Sequence, residues 1–149
     1  MSETGQSSKL PDAKLHPSAR LKIYDLPYSA LFKDHLANPR CSGELSDATA
    51  IAEQTNPVCG DRLRLALRLR DGRIEAARFL AYGCAPTLAC GSVLAEMIEG
   101  MTSDDAARLT RREILRALGG LPSRKQHAAA LAIETLRAAL EAGKLEDQS

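Results

Sequence analysis

Alternating apolar and polar residues in the middle of the chain predict two β-strands joined by a tight turn. Every second residue over the range 63–69 is a leucine, and the residues between them are arginine or alanine. This period of two is typical of a strand with one buried face. The pair Asp71-Gly72 follows and favours a two-residue hairpin turn. In the return strand, 73–82, Ile74 is out of phase with the other apolar positions, which indicates a bulge or a late start.

Apolar residues recur at helical spacing on both sides of this hairpin. Over residues 27–37 they predict a helix, which ends at Asn38 because a residue before proline is pushed out of the helical region. After the hairpin, an apolar stripe over residues 90–101 predicts a longer helix. Pro86 fits the first turn of that helix, where its missing N–H group is tolerated.

The remaining segments predict shorter elements. Thr102 and Thr110 each open a stretch that resembles a capping box, so each is expected to start a short helix. Leu121 and Pro122 open the last helix, directly after two glycines. Residues 50–52 could form a short edge strand.

The order of these elements indicates an α+β fold, in which helices pack on the leucine face of a small antiparallel sheet. A length of 149 residues suits one domain with tails, and a hydrophobic content of 44% is enough for a core. We therefore predict a flexible polar tail at 1–20, one folded domain at 21–143 and a second tail at 144–149.

The charge and the hydropathy pattern exclude several classes of protein. The formal net charge is +1, so nothing in the overall charge points to a nucleic acid or a membrane surface as partner. Neither a membrane span nor a signal peptide is evident in the sequence, and we expect a cytoplasmic protein. In that reducing compartment, cysteines are metal ligands, reactive thiols or core residues rather than disulfides. The chain has four of them: Cys41, Cys59, Cys84 and Cys90.

Two of these cysteines are expected to meet at one edge of the sheet. Cys59 precedes the first strand of the hairpin and Cys84 follows the second, and a hairpin brings these two ends together. Asp61, two residues after Cys59, can point in the same direction. His127 lies near the start of the last helix and could reach the same edge. Cys84 also precedes a helix, whose N-terminus favours the thiolate form of a cysteine.

Each candidate also has a plainer interpretation. Asp61 could serve only in a turn or a cap, and His127 could be an ordinary surface histidine. Cys90 lies on the apolar stripe of its helix, which favours a core position. The sequence does not separate a loop thiol from a functional one at Cys41. A nucleophilic pair of one cysteine with His127 is conceivable, but no matching signature supports it.

Three segments together resemble the signatures of a known family. Asn56–Asp61 (NPVCGD), Phe79–Cys84 (FLAYGC) and Leu121–His127 (LPSRKQH) look like those of the NifU-like/IscU-type iron–sulfur cluster scaffolds. His35–Arg40 (HLANPR) also resembles the N-terminal segment of that family. The resemblance extends over roughly residues 24–141. Three ordered segments at compatible spacing make a far more specific match than any one of them.

The resemblance implies both a fold and a function. The fold is α+β, with a three-stranded antiparallel sheet packed under helices. The function is that of a scaffold rather than an enzyme: a [2Fe–2S] cluster or iron is held transiently and passed to apo-proteins, with sulfur supplied by a cysteine desulfurase. By position, Cys59 and Cys84 would be thiolate ligands, Asp61 the carboxylate that keeps the cluster labile, and His127 the histidine of the site.

The chain departs from the family pattern at two places. The family has a third cysteine directly after its histidine, where this chain has Ala128. This change removes one thiolate ligand and one candidate sulfur acceptor. The segment recognised by a dedicated Hsp70-type chaperone also differs, at Leu121–Lys125, so docking of that chaperone is in doubt.

The ligand set that remains leaves alternatives open. Two thiols, an imidazole and a carboxylate also suit tetrahedral zinc. A zinc protein of the same fold could then modulate a cysteine desulfurase or relay sulfur. A third hypothesis is an interaction module without metal. Cys41 or Cys90 could replace the missing thiolate, but Cys90 would have to leave its apolar stripe.

Overall fold

Three antiparallel strands form a sheet in the order β1-β2-β3. The computed structural model describes residues 26–148. The predicted hairpin and the predicted edge strand are both confirmed, and the edge strand is longer than expected. The strands are β1 (Ala50–Thr55), β2 (Arg62–Arg70) and β3 (Arg73–Tyr82).

The hairpin between β2 and β3 contains both irregularities that the sequence indicated. Asp71 and Gly72 have φ angles of 53° and 74°, as a type I′ turn requires. The pairing then shifts next to Leu69, which lies opposite Ile74, so that Glu75 is the extra residue of a bulge. The bulge returns Ile74 to the core face, where its side chain is fully buried.

The described residues also form five α-helices and one short 3-10 turn. Both predicted caps are present: the side chain of Thr102 accepts from the backbone N–H of Asp105, and Thr110 forms a reciprocal capping box with Glu113. The last helix begins later than predicted, because a 3-10 turn at Ser123–Lys125 comes first. The helices are α1 (Ala30–Ala37), α2 (Ala85–Ile98), α3 (Ser103–Ala107), α4 (Arg111–Ala117) and α5 (His127–Gln148).

Helices cover one face of the sheet, so the predicted α+β fold is confirmed. α5 packs across β1 and β2, while α2 packs on β3 and on α5. Leu63, Leu65 and Leu67 point into this layer and are fully buried. α2 approaches β3 closely at Gly91, where a Cβ would lie within 3.0 Å of the Phe79 ring. This packing fixes the start of α2 against the end of β3.

The predicted boundaries of the domain and its tails are not tested by the structure, which describes the chain from residue 26. The predicted tail at 1–20 lies outside the described residues, and the division into 21–143 and 144–149 stays a prediction. Within residues 26–148, no helix combines the length and the apolar character that crossing a membrane requires.

Candidate metal centre

The hairpin register brings two loops together at one end of the sheet. Arg62, the first residue of β2, pairs with Tyr82, the last residue of β3. The loop before β2 therefore meets the Gly83-Cys84 segment that follows β3. Cys84 is the N-cap residue of α2, so three elements converge on this point.

Backbone hydrogen bonds shape the loop that carries Cys59. The backbone N–H of Asn56 donates to the carbonyl of Asp61, and that of Gly60 donates to the carbonyl of Asn56, both at 2.8 Å. The Asn56 side chain accepts from the backbone N–H of Val58 at 2.8 Å, as asparagine commonly does in turns. The loop is closed on itself in this way, and Cys59 at its tip is exposed.

The structure brings three of the four predicted side chains within ligand distance of one another, and the fourth, Cys84, is joined to them through Asp61. Cys59, Asp61 and His127 each offer a ligand atom, and these atoms lie within 4.8 Å of one another. The thiol of Cys84 donates to Oδ2 of Asp61 at 2.8 Å. Asp61 is therefore observed in contact with Cys84 and near Cys59 and His127, while the role of these residues as ligands stays a prediction.

Asp61 is the hub of the group. Its side chain is buried, and Oδ2 accepts from the Cys84 thiol, from the Cys84 backbone N–H at 3.3 Å and from the Thr87 hydroxyl at 2.8 Å. Burial alone would raise the pKa of Asp61. The hydrogen bonds from Cys84, Thr87 and Cys59 outweigh that effect and hold the pKa below its usual range. Asp61 is therefore a carboxylate acceptor at neutral pH.

The pKa of Cys84 moves in the opposite direction to the one that its position before α2 suggested. Burial raises the pKa of the thiol, and the hydrogen bond to Asp61 raises it further. Burial is the largest of these effects because it disfavours the charged thiolate, and it prevails over the hydrogen bonds with Thr87, which lower the pKa. Cys84 is therefore held as a thiol until something replaces its proton.

One ring nitrogen of His127 forms a hydrogen bond, and the other has no partner among the described residues. Nδ1 lies 3.2 Å from the carbonyl oxygen of Arg124. A carbonyl only accepts, so Nδ1 carries the proton and the lone pair of the neutral ring is on Nε2. Nε2 is buried and has no hydrogen-bond partner among the described residues. An unpartnered, buried lone pair beside Cys59 and Asp61 fits a metal ligand.

The other two cysteines lie outside this group. Cys90 is fully buried, and burial, followed by the nearby Cys84, raises its pKa to about 12, so its predicted core position is confirmed. Cys41 is half-buried, and burial together with Glu99 raises its pKa to about 11. Ala128, which stands in the place of the family's third cysteine, is fully buried in the apolar core.

Thiol reactivity should follow these differences in environment. We expect iodoacetamide at neutral pH to modify the exposed Cys59 first. Cys41 and Cys90 should react roughly tenfold or more slowly, because burial and a raised pKa leave little accessible thiolate. Mass spectrometry of peptides after timed quenching measures the order. Urea-unfolded protein, in which all four sites are accessible, is the control, and early labelling of Cys90 in the folded protein would contradict the account.

Sequence reasoning missed Thr87, which bonds to Asp61 although 26 residues separate them. Its position three residues after Cys84 was an available signal, since residues at that spacing share one face of a helix. It also missed why Gly83 precedes Cys84. Gly83 has a φ angle of 146°, and a Cβ there would lie within 3.0 Å of the Asp61 carboxylate.

Comparison with known proteins identifies the family. The family model of the NifU-like N terminal domain matches residues 27–146. The chain belongs to this family. The resemblance seen in the three segments is thereby confirmed, and the four grouped side chains lie inside the matched range.

Relatives in the NifU-like family carry names from iron–sulfur cluster assembly. The scaffold protein IscU 1 of Archaeoglobus fulgidus is 41% identical over 113 residues, which are 76% of this chain and 74% of that protein. The scaffold protein IscU of Aquifex aeolicus is 36% identical over 129 residues, with 82% of each chain covered. The nitrogen fixation protein NifU of Azotobacter chroococcum is 38% identical over 115 residues, 37% of its length.

Solved structures of NifU-like proteins share the fold. A protein described as a SUF-system cluster assembly scaffold, from Fervidobacterium islandicum AW-1, superposes with a TM-score of 0.66. It is 22% identical, and the match covers 76% of this chain and 96% of that one. A NifU-like protein from Brucella abortus gives a TM-score of 0.53 at 23% identity, with 85% and 90% covered. At these identities the likeness concerns the fold alone.

Proposed function

We propose that this NifU-like chain is a scaffold that holds iron or a [2Fe–2S] cluster as cargo and passes it to apo-proteins. The observation that carries the proposal is the convergence of Cys59, Asp61 and His127, with the lone pair of the imidazole unpartnered. Cys84 completes the set through its contact with Asp61. The relatives named as cluster assembly scaffolds support the same conclusion.

The four side chains would have different parts in binding iron. Cys59, exposed at its loop tip, is accessible to an incoming iron ion or to a sulfur donor. Cys84 gives up a proton when iron binds, which also ends its hydrogen bond to Asp61. His127 offers Nε2 without any prior change of partner. Iron–sulfur clusters are commonly held by four thiolates, so a set with two thiolates suits cargo that must leave again.

The partners follow from this chemistry. We propose a cysteine desulfurase as the sulfur donor and apo iron–sulfur proteins as the recipients. The desulfurase would deliver sulfur as a persulfide, and a two-electron reductant such as a thiol would convert it to the sulfide of the cluster. The described residues contain four cysteines without a disulfide, which fits a reducing compartment such as the cytoplasm. A carrier in this role needs no catalytic turnover of its own.

Zinc is the second candidate, because the same donor set is suited to it. Zinc binds thiolate, imidazole and carboxylate ligands in tetrahedral sites. A zinc form would act on the desulfurase or relay sulfur through Cys59 or Cys84. The two candidates differ in one respect that can be measured, which is the presence of sulfide.

Anaerobic reconstitution tests the scaffold function. The protein is incubated with Fe²⁺, cysteine, a cysteine desulfurase and a dithiol that reduces persulfide sulfur to sulfide, then mixed with an apo-ferredoxin. We expect visible absorption from a cluster, followed by its appearance on the ferredoxin. The Aquifex aeolicus relative, treated identically, shows that the reagents work. Failure of this chain to load a cluster while that relative loads one would contradict the proposal.

A further inference from the structure

A buried threonine lies directly behind the proposed ligand Asp61. Thr87 is in the first turn of α2, its side chain is fully buried, and its hydroxyl donates to Oδ2 of Asp61 at 2.8 Å. The backbone N–H of Cys84 donates to the same oxygen. The start of α2 therefore holds this carboxylate oxygen with two hydrogen bonds, although Thr87 is not itself one of the four proposed ligands.

The Thr87 hydroxyl and the hydroxyl of a second buried threonine donate to different kinds of acceptor. The hydroxyl of Thr135, also fully buried, donates at 2.7 Å to the carbonyl of Leu131 within its own helix. Such a bond to the preceding turn is the common arrangement in helices. Thr87 instead directs its hydroxyl out of α2 to a residue before β2, and so links two elements of the site.

Two donors other than the Cys84 thiol hold Oδ2 of Asp61. They are the Thr87 hydroxyl and the Cys84 backbone N–H. A buried carboxylate oxygen that loses a donor is costly to keep, so the Thr87 hydroxyl directly affects where the Asp61 carboxylate lies. The same hydroxyl also lies 3.4 Å from Sγ of Cys84.

We propose that Thr87 is a positioning residue of the metal centre, whose buried hydroxyl holds the Asp61 carboxylate in the orientation that metal binding requires. This inference rests on the proposed function, because it assumes that Asp61 and Cys84 bind the metal. Groups that hydrogen-bond to a ligand orient it and raise the affinity of the site for its metal.

Binding of Co²⁺ to a matched set of variants tests the proposal. Cobalt bound by thiolate gives a near-ultraviolet absorption band, and competition with a chelator of known affinity yields the Kd. We expect Thr87→Val to weaken binding by about 10- to 100-fold. Thr87→Ser, which keeps the hydroxyl, should bind like the unaltered protein. Thr135→Val, the same change at a buried threonine of another helix, should leave the Kd unchanged.

A double-mutant cycle separates positioning from a general structural effect. In an Asp61→Ala background the hydroxyl has lost its carboxylate acceptor and keeps only the longer contact of 3.4 Å with the Cys84 sulfur, so Thr87→Val should cause little further loss of affinity. An equal loss in that background would overturn the proposal. So would a Thr87→Val variant that binds as tightly as the unaltered protein, or a Thr87→Ser variant that binds as weakly as Thr87→Val.

If Thr87→Val does not fold, Thr87→Ala takes its place. A tenfold loss of affinity in Thr87→Ser alone is enough to overturn the role of the hydroxyl.

Failure of the proposed metal centre and failure of the role of Thr87 give different results. If the unaltered, folded protein binds no Co²⁺, the metal centre itself is refuted and the role of Thr87 falls with it. A centre that binds Co²⁺ with no dependence on Thr87 refutes the further inference alone.

Discussion

Serine in place of Cys84 is expected to abolish stable binding of iron or zinc. The substitution removes one of the two thiols of the site, and a serine hydroxyl does not ionise near neutral pH to replace it. Loss of a neighbour that only supports a ligand already costs 10- to 100-fold in affinity, so loss of the ligand should cost at least about 100-fold. Metal content after gel filtration, measured by elemental analysis, shows the effect.

Cys41→Ser provides the matched control for this prediction. It makes the same chemical change at a half-buried cysteine that is not one of the four proposed ligands. It should retain the metal content of the unaltered protein, whereas Cys59→Ser should resemble Cys84→Ser. Full metal occupancy in Cys84→Ser would contradict the assignment of the site.

Alanine in place of Gly83 is expected both to destabilise the protein and to disrupt the site. The φ angle of 146° is one that residues with a Cβ rarely adopt, and the added Cβ would collide with the Asp61 carboxylate. The carboxylate would have to move away from Thr87 and Cys84. We expect the free energy of unfolding to fall by about 2–4 kcal/mol, and metal affinity to fall with it. Urea unfolding and metal titration measure the two effects.

Gly72→Ala separates the collision from the general effect of removing a glycine. Gly72 also has a positive φ angle, 74°, but nothing lies within 4 Å of a Cβ placed there. This variant should lose some stability and keep its metal affinity. Equal metal affinities for Gly83→Ala and the unaltered protein would show that Gly83 does not position Asp61.

Local patterns in the sequence were sufficient to predict the sheet. Alternation over 63–69 and the Asp71-Gly72 turn act between neighbouring residues, so one strand and its return could be placed without a structure. The register of that hairpin also implied that Cys59 and Cys84 would lie at the same edge. The capping threonines, Thr102 and Thr110, were equally local signals, and both are confirmed.

Features that depend on contacts between distant segments could not be predicted in the same way. The bond from Thr87 to Asp61 exists only because α2 starts against the end of the hairpin. The raised pKa of Cys84 depends on the same contact. The sequence placed Cys84 before a helix, which suggested a thiolate, but it did not show that a buried carboxylate would be touching the thiol.

Ala128 marks the main difference from the family pattern. Alanine has no ligand atom in its side chain, and here that side chain is packed in the apolar core. The proposed site has two thiols, from Cys59 and Cys84, and therefore depends also on the imidazole of His127 and the carboxylate of Asp61. Weaker retention of cargo is the expected consequence.

The most direct test of the scaffold function is the content of iron, zinc and acid-labile sulfide in protein purified anaerobically from its own host. We expect iron and sulfide in equal amounts, both lost in Cys59→Ser protein prepared in the same way. Stoichiometric zinc without sulfide would contradict the scaffold function and support the zinc form.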